Sequence, residues 1–183
     1  IHRVIVGGTR QGDNWRVNIS ADELNGSAEV RPPNGNVPAQ LYVRLAYLNI
    51  PPSSVKDVER LLSDQPSSIP TLDIVVSDLT VRGKKLGRLE IDAVNRLGAN
   101  AVREWRLNKF NLIMPEATFN ASGQWSASGP ITRRTQLAFT LSARDSGSLL
   151  ARLGTPDAVR GGEGRLEGEV SWQGSPITLD YAS

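Results

Sequence analysis

Apolar and polar residues alternate along most of this 183-residue chain. A period of two sends successive side chains to opposite sides of an extended backbone, so each segment reads as a strand with one dry face and one wet face. Leu41, Val43, Leu45 and Tyr47 share one side of 40–50. Leu89, Ile91 and Ala93 oppose Arg88, Glu90 and Asp92. Ala117, Phe119, Ala121 and Trp125 oppose Thr118, Asn120, Ser122 and Gln124. Leu137, Phe139, Leu141 and Ala143 oppose Gln136, Thr140 and Ser142, and Leu166, Val170 and Trp172 oppose Arg165, Glu167, Glu169 and Ser171. One-sided strands of this kind belong to antiparallel sheets.

Two short segments change period. Val55, Val58 and Leu62 stand at helical spacing in 54–62, with Ser54 and Asp57 placed as a capping box and Pro66 soon after. The second helix is expected over 146–153, with Asp145 as N-cap, Gly154 as the stop and Pro156 beyond it. The expected fold is therefore mainly β: an extended, curved antiparallel sheet, groove- or taco-like, with two short helices. The Pro-rich stretch 51–70 is the expected boundary. It separates a β segment 1–50, the end of a preceding repeat, from a larger β region 71–183, as two parts of one continuous sheet. Asn14-Trp15-Arg16-Val17-Asn18 and Glu104-Trp105-Arg106-Leu107-Asn108 match loosely, with the tryptophans 105 − 15 = 90 residues apart. A repeat of strands laid side by side and a chance recurrence of one edge-strand pattern both fit that match. The chain opens at Ile1 and stops at Asp180-Tyr181-Ala182-Ser183 within a strand-like pattern, so it is expected to be a piece of a longer protein.

Chemistry is sparse. The 21 Lys and Arg against 19 Asp and Glu leave a net charge of +2, spread along the chain rather than gathered, so no nucleic-acid partner is expected. The absence of Cys removes disulfides, thiolate zinc sites and thiol nucleophiles together. The single His, His2, is a terminal residue with no companions for a catalytic triad. Gly161-Gly162-Glu163-Gly164-Arg165-Leu166-Glu167-Gly168 has Glu167 where a dinucleotide fingerprint needs its third Gly, and a strand follows where a helix is required. Gly83-Lys84-Lys85 reads as a hairpin tip rather than a phosphate loop. Glu90 with Asp92, and Glu167 with Glu169, lie two apart on strands at about 6–7 Å, within glycosidase range. Arg88 and Arg165 continue each pair at the same spacing, which marks a solvated face of alternating charge. No catalytic residue, metal or cofactor is expected, and the chain is read as not an enzyme.

The apolar face still has to be covered. Two short helices are little cover for roughly nine strands, so either the sheet curls around its own packed core or its inner side receives acyl chains. Patterning alone favours the packed core.

The second half of the chain bears on that choice. Lys85-Leu86-Gly87-Arg88-Leu89-Glu90-Ile91-Asp92-Ala93, Trp105-Arg106-Leu107 and Pro115-Glu116-Ala117-Thr118-Phe119-Asn120-Ala121-Ser122-Gly123-Gln124-Trp125 follow one another in order. Leu149-Leu150-Ala151-Arg152-Leu153-Gly154, Arg160 to Gly168 and Ser171-Trp172-Gln173-Gly174-Ser175-Pro176 complete the series. Together they resemble the YhdP-type branch of the AsmA-like family, closely over 71–183 and loosely over 1–70. The resemblance implies a periplasmic part of an inner-membrane-anchored protein of the Gram-negative envelope, in which adjacent β repeats of the same chain build a hydrophobic groove. It also implies that the groove carries phospholipid between the inner and outer membranes. The expected contacts with acyl chains are Leu89, Ile91, Phe119, Leu137, Phe139, Leu141, Leu166 and Val170. The rival expectations are a structural or assembly module with a closed core, and a carbohydrate-active enzyme using one carboxylate pair.

Overall fold

A computed structural model describes residues 5–52, 69–97, 103–127 and 133–174. Ten strands join in sequence order into one open sheet. They are β1 (Ile5–Gln11), β2 (Asn14–Ser20), β3 (Leu24–Arg31), β4 (Gln40–Ile50) and β5 (Thr71–Val81), then β6 (Lys84–Leu97), β7 (Arg103–Ile113), β8 (Ala117–Ala127), β9 (Arg133–Ala143) and β10 (Gly164–Gln173). Each neighbouring pair is antiparallel except one. β4 and β5 run parallel, in register from Gln40 against Thr71 to Ile50 against Val81.

That pair corrects the expectation of an antiparallel sheet throughout. Parallel neighbours need a crossover of a dozen or more residues, and the segment between Ile50 and Thr71 is long enough to return the chain to the starting end of the sheet. The Pro-rich stretch thus connects two strands that hydrogen-bond to each other along their length. The helix expected over 54–62 lies outside the described residues.

Bulges break the alternation at five places: between β3 and β4 at Asn25/Gly26, between β5 and β6 after Val76 and again after Leu79, between β6 and β7 after Asp92, and between β7 and β8 after Leu107. Each one bends its strand and increases the local twist. The first changes the reading of β4. Leu48 and Ile50, rather than Tyr47, join Leu45 in the cluster around Val76 and Leu79. The Tyr47 hydroxyl instead donates to the Ala21 carbonyl at 2.5 Å. Gly26 sits at the bulge with φ 148°, and a Cβ there would strike the Arg44 carbonyl and the Leu45 backbone.

The helix α1 (Ser146–Leu153) has the expected ends. Asp145 accepts from the Ser148 amide at 3.0 Å, and Gly154 turns left-handed at φ 104° with its N–H bonded back to Ala151 and Leu150. Leu149 is its buried residue and packs with Met114, Ala117 and Ala143 at one end of the sheet. At the opposite end Ile69, the last residue but one before β5, packs with Ala93, Trp105 and Trp125.

Candidate functional site

Residues directly opposed on neighbouring strands share a face of the sheet, so the register defines what each face presents. Starting at β1, one row runs Val6, Ile19, Gly26, Leu45, Val76, Leu89, Leu112, Phe119, Leu141, Leu166, one residue from each strand. The row beside it runs Gly8, Val17, Ala28, Val43, Ile74, Ile91, Phe110, Ala121, Phe139, Gly168. Neither row contains a charged or hydrogen-bonding side chain. At strand spacings of roughly 4.8 Å, ten strands make this apolar band about 43 Å long.

A third row, Val30, Leu41, Leu72, Ala93, Leu107, Gly123, Leu137 and Val170, widens the band from β3 to β10. Beyond it the face turns amphipathic. Asn95, Trp105, Trp125, Thr135 and Trp172 stand opposite one another on β6 to β10. The Trp105 indole donates to the Pro70 carbonyl at 3.2 Å and the Asn95 amide to the Ile69 carbonyl at 2.7 Å.

The three phenylalanines of the chain all lie on this band. Phe110 meets Phe119 edge-on at 5.9 Å between ring centroids, and Phe119 stacks on Phe139 at 6.2 Å. The Phe139 ring in turn covers Gly168 on β10, where an added Cβ would sit 3.2 Å from it. All three rings, with Ile91, Leu112, Leu137 and Leu141, remain only part-buried. Burial falls toward the sheet edges, from Val76 at 0 % exposure to Leu166 at 58 % and Val6 at 61 %.

All eight expected contact residues therefore share one face. Leu89 is buried in the central cluster with Val76 and Leu79. Leu141 packs partly beneath α1, against the cluster that holds Leu149. Ile91, Phe119, Leu137 and Phe139 are part-buried, and Leu166 and Val170 are exposed. Several members of the band escaped the sequence reading. Ile74 and Val76 alternate as clearly as their neighbours and were open to it, whereas Phe110 and Leu112 are put out of phase with Trp105 and Leu107 by the bulge at Asn108 and Lys109.

The polar face carries the carboxylate pairs, and each has its cation. Glu90 receives the Lys109 ammonium and the Arg88 guanidinium, the latter at 2.9 Å, and these two, Lys109 foremost, hold its carboxyl down at about 2. A general acid needs the opposite shift. Glu167 is paired with Arg165 at 2.9 Å on the exposed surface. Arg16 and Arg31 share Glu29 and hold it below the usual carboxylate range. No group of three or more His, Asp and Glu among the described residues is placed to hold a metal.

At the α1 end one ion pair is buried. Glu116, in the turn between β7 and β8, accepts from two nitrogens of the Arg152 guanidinium, one of them at 3.0 Å. A third nitrogen of Arg152 donates to the Lys85 carbonyl at 2.7 Å. One side chain thus ties the helix to the β7–β8 turn and to the start of β6, and the carboxylate raises the Arg152 pKa further.

An open, mostly antiparallel sheet with an unbroken apolar face and a charge-paired polar face is the class that these strands define. The chain belongs to the YhdP family, whose model, described as YhdP protein, matches residues 1–183, and this is a family of the bacterial envelope. No curated protein and no solved structure matches the chain. No helix among the described residues is long and apolar enough to cross a membrane.

Proposed function

We propose that this segment is a stretch of a hydrophobic β groove through which phospholipid passes between the inner and outer membranes, in the periplasmic part of an inner-membrane-anchored protein. The observation that carries this reading is the pair of apolar rows that cross all ten strands and remain part-exposed at Phe110, Phe119 and Phe139. In a closed scaffold, a second layer would cover those rings. Among the described residues, the elements seen on that face are α1 at one end and Ile69 with Pro70 at the other.

The mechanism is passive. An acyl chain in water costs about 0.8 kcal/mol for each exposed CH₂, and a continuous apolar band keeps that cost from recurring along the path. The bulges curve the strands around the chains, and adjacent β repeats extend the band at β1 and β10. The band supplies a surface and no chemistry.

The test is a charge placed in the band of the full-length protein, with delivery of pulse-labelled phospholipid to the outer membrane as the readout. Phe139→Glu is expected to abolish delivery at unchanged protein level, while Thr140→Glu, on the opposite face of the same strand, leaves it intact. Equal delivery in both variants would remove the groove reading and leave the structural module in its place.

A further inference from the structure

Five cations of the strand interiors are neutralised on the sheet: Arg16, Arg44, Arg88, Lys109 and Arg165 each meet a carboxylate. The tip of the β5–β6 hairpin departs from that pattern. Arg82, Lys84 and Lys85 fall within four residues, and no carboxylate of the described residues pairs with any of them. Arg82 and Lys85 are exposed. Lys84 turns onto the apolar side, where its ammonium donates to the Leu153 carbonyl at the end of α1 and lies beside Gly154. Arg152, the next cation, is already neutralised by Glu116.

Immediately below this tip the same hairpin is apolar. Leu79, Val81, Leu86 and Leu89 belong to the central cluster of the band. Within a few residues the hairpin passes from an aliphatic floor to three cations without counter-charges, Lys84 on the band side opposite Val81 and Lys85 on the other face opposite Thr80. That order matches a molecule with an apolar tail joined to a phosphate. Paired cations elsewhere on the sheet offer no such place, because a phosphate would have to displace a carboxylate already in contact.

We infer that Arg82, Lys84 and Lys85 form a phosphate-binding rim that takes the phosphodiester of a glycerophospholipid while its acyl chains lie on the band. This rests on the groove reading and adds to it a defined level for the headgroup. Arg82 and Lys85 supply charge-assisted contacts from the solvent side. Lys84 holds the end of α1 and brings the positive potential over the edge of the apolar face.

The test uses purified full-length protein and two fluorescent probes with identical acyl chains, a phosphatidylglycerol and a diacylglycerol that lacks the phosphate. The variant is Arg82→Gln with Lys85→Gln, which leaves Lys84 on α1. Its phosphatidylglycerol affinity is expected to fall about thirtyfold, the scale of two lost charge contacts near a lipid surface, with diacylglycerol affinity unchanged. Equal affinities of variant and parent for both probes would overturn the rim and leave the groove standing. Loss of both probes in a variant of unchanged thermal stability would also overturn it, since no headgroup contact explains a loss of diacylglycerol. Failure of the parent to bind either probe would sink the groove reading itself. Inorganic phosphate is the remaining arm. Full displacement of phosphatidylglycerol by phosphate at equal concentration would make the tip a free-anion site and refute the lipid assignment.

Discussion

Among the ion pairs of the described residues, the one Arg152 makes is the costliest to break. Its partner Glu116 has a side chain only 5 % exposed, while Arg152 itself is 28 % exposed. Arg152→Met keeps the aliphatic stem against α1 but leaves a buried carboxylate with no cation. Breaking a fully buried pair from one side costs about 3–5 kcal/mol. Water reaches the Arg152 end, so about 2–3 kcal/mol is expected here, which includes the lost bond to the Lys85 carbonyl. The loss falls on the docking of α1 rather than on the strands. Native-state hydrogen exchange reads it directly. The Leu149 and Gly154 amides, bonded to Asp145 and Ala151, are expected to exchange roughly thirty to a hundred and fifty times faster. Strand amides of β8 should change little. Glu116→Gln added to Arg152→Met should restore more than half of the loss, because the orphaned charge is then gone. The control is Arg165→Met, whose partner Glu167 is 65 % exposed and which should cost about 0–1 kcal/mol. If Arg152→Met is as mild as Arg165→Met, or if the double variant is worse than the single one, the buried-pair account of α1 is refuted.

Three further outcomes are expected. Leu149→Ala should destabilise α1 by about 2–4 kcal/mol, seen as faster exchange of the helix amides, since Leu149 is its buried side chain against Met114, Ala117 and Ala143. Gly87→Ala should lower the unfolding midpoint in urea by more than an exposed Gly12→Ala: both backbones are left-handed, but at Gly87 a Cβ would strike the Ile113 carbonyl and at Gly12 it meets nothing. Acid should weaken the β6–β7 region. The Glu90 carboxyl titrates lower in the folded chain, at about 2, than when unfolded near 4.5. Its contribution is therefore present above pH 4.5 and lost as the pH falls toward 2. Solvent screening keeps it to about 1 kcal/mol or less. Glu90→Gln should flatten that part of the acid-unfolding curve, and an unchanged curve would show that the Arg88 and Lys109 contacts contribute nothing.

The alternation made the strands and their dry side legible because a side-chain period of two is a local property. β4, β8 and β9 lie where the pattern puts them, and α1 ends at the predicted Asp145 and Gly154. Two kinds of feature lay beyond that reach. A bulge is a single added residue that reverses the phase, so Tyr47 was placed with Leu45 although Leu48 takes that side. Pairing across a long connection is set by tertiary contacts, so nothing in 40–50 or 71–81 announced that β4 and β5 run parallel. The Glu116–Arg152 tie was invisible for the same reason: its partners are 152 − 116 = 36 residues apart and are joined only once α1 folds back on the sheet. The eight residues expected on one face do share it, because their alternation was local, while the row that links them through Gly26, Val76 and Leu112 emerged only from the register.

Photo-crosslinking from within the full-length protein in cells tests the lipid band most directly, with the probe at position 139 compared with the probe at 140. Phe139 is on the band between Ala121 and Gly168, and Thr140 faces away between Asn120 and Glu167. Phospholipid captured at 139 and absent at 140 is the expected result. Capture at neither position, in a protein that still folds and functions, would contradict the lipid band and make this sheet a scaffold.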